Sequence, residues 1–401
     1  MDHVPRVGMT GPLAPYQDAL WAGLLGRGYA LFSARNLIHV AAHLSRWLQD
    51  GQLCASDLSR TRIEAYVRHR RACGYKNWFT PKGIAPILEL LRMLGAVPAA
   101  EAAPVDGSTV GRLLRDFETH LIEERGIRAV TAAGYLQLVR PFVDSLRLSD
   151  LSKLQELSSY TISRHILREA RSSSVGYLKL KVTALRSLLR YLHVCGLCRD
   201  LSAAVPAVAG CRFSALPRAI SEDAVRRIEA SCERGSATGR RDYAILLLLS
   251  RLGLRASEVA ALDLGDVRWA QGELVVRAKG AEGVLPLPQE VGEAVVAYLR
   301  MGRPLSTSRR IFLQGPAPHG ELTADAVKMA VRTASQRAGL PPIGPHRLRH
   351  TAATSMLRRG VSLPDIAQVL RHRSLETTAI YAKVDHRALR PLARPWPGGA
   401  A

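Results

Sequence analysis

Residues 344–383 read GPHRLRHTAATSMLRRGVSLPDIAQVLRHRSLETTAIYAK, and they concentrate side chains suited to handling an anion. Gly344-Pro345 predicts a helix start, because proline in the first turn gives up an N–H that has no partner there. His346, Arg349 and His350 follow at i, i+3 and i+4 and so share one helical face. The apolar set Val361, Leu363, Ile366, Val369 and Leu370 predicts a second helix beginning near Pro364. His372 comes next, and Tyr381 lies past Thr377 and Thr378. A guanidinium, three imidazoles and a phenol with few carboxylates among them describe a site for an anion. His346, His350 and His372 also suggest a metal site, but the scarcity of Asp, Glu or Cys ligands argues against it. Each residue alone has an ordinary reading, a solvated Arg or His or a core Tyr, so the weight rests on the combination.

Two upstream stretches carry matching chemistry. Residues 241–264, RDYAILLLLSRLGLRASEVAALDL, predict a buried apolar helix, a break at Gly253 and a second helix from about Ser257. Arg255 stands at that break, where a planar, permanently charged fork grips two phosphate oxygens. Residues 272–288, GELVVRAKGAEGVLPLP, hold the clearest β signal: Leu274 to Val276, a glycine-bearing turn, then Val284 to Leu287, with Pro286 pointing to an edge strand. Lys279 stands at the turn, where a long ammonium reaches outward.

Taken together, G-L-R-x-S-E, H-x-L-R-H-T-x-A-T, L-x-H-x-S and T-T-x-I-Y resemble the tyrosine recombinase, or phage integrase, family over roughly residues 108–385. The resemblance implies a mainly α fold with a small β-sheet or hairpin: a SAM-like helical core-binding domain followed by a tyrosine-recombinase catalytic domain. It also implies roles. Tyr381 would attack the scissile phosphate and leave a 3′-phosphotyrosyl link, while Arg255 and Arg349 hold the non-bridging oxygens. His372 would hydrogen-bond the same phosphate, Lys279 would protonate the leaving 5′ oxygen, and His346 would assist proton removal from the tyrosine. His350 would brace its neighbours. No cofactor is implied, neither metal nor ATP, since the covalent link conserves the phosphodiester energy. One departure stands out: many family members read L-G-H where this chain reads Leu370-Arg371-His372, which changes the favoured backbone and adds a charge beside the phosphate.

These residues need elements to position them, and 401 residues suffice for two or three domains. Residues 1–100 predict a helical unit, with apolar residues such as Leu37, Val40 and Leu44, then Ile63 and Val67, then Ile87 and Leu91 at helical spacing. A small-residue linker, 96–107, precedes a second helical unit at 108–205. The two share an order: Arg27-Gly28 answers Arg125-Gly126, IEAYVRHRRACGY answers ISRHILREARSSSVGY, and IAPILELLRMLGAV answers VTALRSLLRYLHVCGL, which suggests a duplicated unit. The second unit resembles the family's core-binding clamp on DNA. Its Arg164, Arg168, Arg171, Lys179, Lys181, Arg186 and Arg190 are candidates for salt-sensitive phosphate contacts. The run Arg68, His69, Arg70, Arg71 in the first unit suggests further contact, or a solvated charged face. Residues 205–218 read as a hinge, Ser221 as a helix cap, and 215–395 as the catalytic domain. Leu389, Leu392 and Trp396 in the tail offer anchors for a neighbouring subunit.

Composition agrees with a nucleic-acid partner. Lys+Arg number 56 against 34 Asp+Glu, giving a net charge of +22, which suits a polyanion or an anionic membrane face. No signal sequence and no long apolar run are evident, so a cytoplasmic protein is expected. Six cysteines suggest no disulfide framework, and Cys195-Gly-Leu-Cys198 lacks a second pair at metal spacing. The expectation is a site-specific recombinase or integrase of a mobile genetic element, working on double-stranded DNA as a homo- or hetero-tetramer. The alternatives are a catalytically silent DNA-binding partner in the synapse, a chromosome-dimer resolvase, or a type I topoisomerase.

Overall fold

The computed structural model describes residues 8–75, 80–99, 106–209, 219–278, 281–371 and 378–384. Lys279, His372 and the tail residues Leu389, Leu392 and Trp396 lie outside the described residues. The chain is mostly helical with one small antiparallel sheet, the fold class expected from its sequence. Its contacts group Met1–Glu101 with Ala215–Ala401, and Ala102–Ser214 apart from them.

The first bundle holds α1 (Gln17–Gly26), α2 (Leu31–Asp50), α3 (Arg60–Ala72) and α4 (Pro81–Met93) around a core that includes Leu20, Leu24, Leu37, Leu44, Ile87 and Leu91. Ser59 caps α3 and Thr80 caps α4, each side-chain oxygen accepting a first-turn N–H. Arg70 departs from the basic-run expectation: it is 5% exposed, its guanidinium stacked on Tyr75 and near the Tyr66 hydroxyl. At that helical position the inward face wins over charge, leaving Arg68, His69 and Arg71 exposed.

The second unit holds α5 (Thr109–Thr119), a π-turn at His120–Glu124, α6 (Ala129–Ser145), α7 (Ser159–Ala170) and α8 (Val175–Val194) about Leu114, Phe117, Phe142 and Leu188. The ends of α4 and α8 match closely. Gly95 and Gly196 both adopt φ +70, and the next amides, of Ala96 and Leu197, donate to Leu91 and Leu192. The Gly-Tyr pairs do not match: Gly74 turns the chain after α3 with φ +79, whereas Gly176 lies inside the first turn of α8. The serines before α8 allow the helix to begin ahead of the Gly-Tyr pair there, with Ser174 as its cap.

The C-terminal part is built on α10 (Ala237–Arg251), whose Ala244–Leu249 run is fully buried. Around it pack α9 (Glu222–Ala230, capped by Ser221), α12 (Gln289–Met301), α13 (Ala324–Arg337) and α14 (Pro345–Arg358). Between α10 and α12 run the short α11 (Ala256–Ala261) and strands β1 (Val267–Arg268), β2 (Glu273–Ala278) and β3 (Ala281–Pro286), in the order β1-β2-β3. Val275 faces Val284 and Val276 faces Gly283 across the β2–β3 pair. Pro286 sits on the edge strand, where its missing N–H breaks no interior ladder. A small satellite core of Ala353, Leu357, Ile366, Leu370 and Tyr381 joins α14 to α15 (Leu363–Val369) and the 3-10 turn Ala379–Val384.

Candidate active site

Gly253 ends the α10 segment with φ +60, a conformation that favours glycine. A Cβ there would lie 2.6 Å from Leu370 Cδ2, so the position also needs the absence of a side chain. This turn delivers Arg255 to the start of α11. The Glu258 carboxylate reaches back to the Arg255 amide at 2.8 Å, the reciprocal half of a helix-capping box. The same carboxylate accepts from the Arg255 guanidinium at 2.5 Å and from that of Arg371 at 2.8 Å. Burial alone would raise the Glu258 carboxyl. The Arg255 amide, the Arg371 charge and the guanidinium hydrogen bonds overcome this and hold it below the ordinary range.

Arg349 occupies the inner face of α14 and is only 3% exposed. Its guanidinium donates to the carbonyls of Gly253 and Leu370, and Arg255 donates to the next carbonyl, Arg371 O, at 3.2 Å. Adjacent carbonyls at the end of α15 therefore hold the two arginines. Burial first, then the nearby Arg255 charge, pulls Arg349 down to about 10, so it stays cationic at neutral pH. Arg255, 37% exposed at its side chain, is the one open to solvent. Three guanidiniums cluster here around one carboxylate that two of them contact, and an incoming anion would relieve their mutual repulsion.

Arg255, His346 and Arg349 line a cleft of about 680 Å³, with Lys328 and Arg332 on α13 across from them. His346 faces this cleft. Close packing, then the charges of Arg349 and Arg255, lower its affinity for a proton. His350, one turn further along α14, stacks edge-on to His346 with ring centres 4.7 Å apart. Its Nδ1 lies 2.8 Å from the Tyr381 hydroxyl. Tyr381 is 1% exposed, and burial pushes its phenol up to about 12 despite the opposing charge of Arg349.

The fold thus brings together Arg255, His346, Arg349, His350 and Tyr381. Lys279, which follows β2 in the sequence, and His372, which follows Arg371, lie outside the described residues. His350, read from the sequence as a brace, touches the tyrosine hydroxyl directly. Sequence reasoning missed the double engagement of Glu258, although the Arg-x-x-Glu spacing is the signal for a carboxylate reaching back at a helix start. It also missed the carbonyls of Gly253, Leu370 and Arg371, which carry no side-chain signature. Among the described residues no group of His, Cys, Asp or Glu is placed to hold a metal, and no helix is long and apolar enough to cross a membrane.

Of the candidate DNA-facing cations, Arg164, Arg168, Arg171, Lys179 and Arg190 are exposed on α7 and α8. Lys181 and Arg186 are only half-exposed. Lys181 pairs with Glu169 and reaches Ser173 at 3.1 Å, and Arg186 donates to Val205 O at 2.8 Å.

In this helical domain two guanidiniums therefore converge beside a histidine pair and a tyrosine, a constellation of donors suited to an anion. The phage integrase family model matches residues 218–387. A Sinorhizobium fredii (strain NBRC 101917 / NGR234) protein described as an integrase/recombinase, y4rA, is 39% identical over 402 residues, covering 97% of this chain and 96% of its own. Tyrosine recombinase XerC of Pseudomonas putida (strain ATCC 700007 / DSM 6899 / JCM 31910 / BCRC 17059 / LMG 24140 / F1) is 30% identical, over 69% of this chain and 93% of its own. Among solved structures, XerH site-specific recombinase bound to palindromic difH substrate, a post-cleavage complex, has a similar fold. The TM-score is 0.56 at 16% identity, over 82% of this chain and 93% of that one. This chain belongs to the phage integrase family, the tyrosine-type site-specific recombinases.

Proposed function

We propose that this protein cuts and rejoins double-stranded DNA through a covalent bond between Tyr381 and the scissile phosphorus. The Tyr381 oxygen forms the new P–O bond, the bond to the 5′ oxygen breaks, and a 3′-phosphotyrosyl end and a free 5′-hydroxyl result. A 5′-hydroxyl from the partner strand then reverses the step. Arg255 and Arg349 neutralise charge on the non-bridging oxygens as it builds. The phenol proton passes to the His346–His350 pair, and Lys279 supplies the proton to the departing 5′ oxygen, with His372 bonding the phosphate.

The observation that carries this reading is the meeting of Arg255 and Arg349 on consecutive carbonyls next to the His350–Tyr381 contact. Tyr381 is buried on His350, so the 3-10 turn Ala379–Val384 must shift for the hydroxyl to enter the cleft. That requirement suits an assembly in which only protomers engaged on DNA cut, and we assign a tetramer of recombinase subunits on the duplex. The tail residues Leu389, Leu392 and Trp396 would link neighbouring subunits. Residues 1–100, 108–205 and 215–395 would act as an added DNA-contacting unit, the core-binding clamp and the catalytic domain. The near end-to-end match to y4rA, against a XerC match that leaves nearly a third of this chain uncovered, favours a mobile-element integrase over a minimal resolvase. Its place of action is the cytoplasm, with the DNA.

Covalent trapping tests the reading. Nicked duplexes tiled across the DNA flanking its gene, together with a randomised pool, should leave wild-type protein attached to DNA through Tyr381. Tyr381→Phe should bind without attaching. Binding with no attachment by wild-type would instead identify a catalytically silent synaptic partner. Relaxation of plasmid without a target sequence would favour a topoisomerase.

A further inference from the structure

Arg371 occupies the residue just after the C-cap of α15, with φ +54. That is the left-handed conformation in which glycine usually ends a helix, and a non-glycine residue there is strained. Its amide donates to Gln368 O, so the backbone closes the helix as a glycine would. The side chain is not left in solvent. It is 12% exposed, donates to Glu258 at 2.8 Å and to Val369 O at 3.0 Å, and has its Nε buried without a partner among the described residues. Its Cδ runs 3.1 Å from where a Cβ on Gly283 would stand, on strand β3. Meanwhile its own carbonyl accepts from Arg255, and the carbonyl before it accepts from Arg349.

We propose that Arg371 is a positioning residue for strand cleavage: its side chain ties Glu258 and the β2–β3 hairpin to the turn whose carbonyls hold Arg255 and Arg349. One residue thereby sets the spacing of the two phosphate-gripping guanidiniums relative to the hairpin. A buried Glu258 facing Arg255 alone would draw that guanidinium fully into a closed pair. Sharing the carboxylate with Arg371 leaves part of the Arg255 fork for a phosphate. The strain of the left-handed backbone persists because the buried ion pair holds it in place.

The inference rests on the cleavage reading above, and single-turnover trapping on the duplex that wild-type attacks tests it. Arg371→Gly should fold, since glycine accepts φ +54, and should bind DNA within about threefold of wild-type while attaching at least about tenfold more slowly. Arg371→Lys should recover part of the rate. Glu258→Gln should also be slow, and the double variant should be no slower than the worse single, because both act on one arrangement. Three results would overturn the proposal: Arg371→Gly attaching at the wild-type rate, losses that multiply in the double variant, or a fall in DNA affinity as large as the fall in rate. A wild-type protein that never attaches would take down the cleavage reading itself, and this inference with it.

Discussion

The Tyr381 hydroxyl and His350 Nδ1, 2.8 Å apart, couple the nucleophile of the proposed reaction to a histidine that does not itself line the cleft. Burial, followed by the charges of His346 and Arg349, presses His350 down to about 4. It is therefore neutral at physiological pH, and Nδ1 can accept the phenol proton in a hydrogen bond. In the unfolded chain the same imidazole protonates near pH 6.5. Between those values the unfolded state binds more protons, so stability is fully present above about pH 6.5 and falls as the pH drops towards about 4. His43, His165 and His346 are lowered in the same direction and share the effect. His350→Gln should therefore lose less Tm between pH 7 and pH 5 than wild-type does. Equal losses in calorimetry would remove His350 from this account.

Arg349→Lys separates geometry from charge. Lysine keeps the cation but lacks a planar fork to span Gly253 O and Leu370 O together. Covalent attachment should fall on the order of 10²- to 10³-fold, the scale for losing one transition-state donor. DNA affinity should barely change, because many phosphate contacts share it. Leaving a buried carbonyl unpaired should cost a further 1–3 kcal/mol or so of stability. Urea titration reads the second effect and trapping the first; a lysine variant with wild-type cleavage would contradict the assignment.

Gly253→Ala should be more damaging than an ordinary surface alanine. It places a side chain at φ +60 and drives a methyl to 2.6 Å from Leu370 Cδ2. Moving Leu370 also displaces the carbonyl that holds Arg349. Destabilisation of about 1–3 kcal/mol is expected, the scale of strain plus overpacking, together with slower cleavage. A Tm within a degree of wild-type would mean that the turn has room the geometry does not indicate.

Local signals made much of this site readable in advance. Pro345 at a helix start, the i, i+3, i+4 spacing of His346, Arg349 and His350, the Ser221 cap and the two apolar runs, Leu274 to Val276 and Val284 to Leu287, each depend on neighbours along the chain. What stayed hidden depends on distant segments. Arg371 looked like a charge added beside a phosphate, yet a carboxylate more than a hundred residues earlier draws it inward. Arg70 looked like part of a basic stripe, yet Tyr66 and Tyr75 enclose it. Helical spacing assigns a face, but only the packed partner decides whether that face meets water.

The same distinction divides the basic residues of α7 and α8 into two groups with different expected behaviour. Arg164, Arg168 and Arg171 fall at i, i+4 and i+7 on α7, and Lys179 and Arg190 are exposed on α8. Replacing an exposed phosphate contact among them by Ala should weaken DNA binding at all sequences alike. It should also reduce the log–log dependence of affinity on salt by about 0.9 per lost phosphate contact. Lys181→Ala and Arg186→Ala should leave that slope nearly unchanged, because Glu169 and the Val205 carbonyl already engage those cations. Their effect should appear in thermal stability, since each removal leaves a partly buried acceptor unpaired. Fluorescence anisotropy across a salt series, read beside melting curves for the same variants, distinguishes the groups. A slope change for Lys181→Ala as large as that for Arg168→Ala would mean that the Glu169 pair opens on DNA, and that α8 presents a broader cationic face than its exposed residues alone.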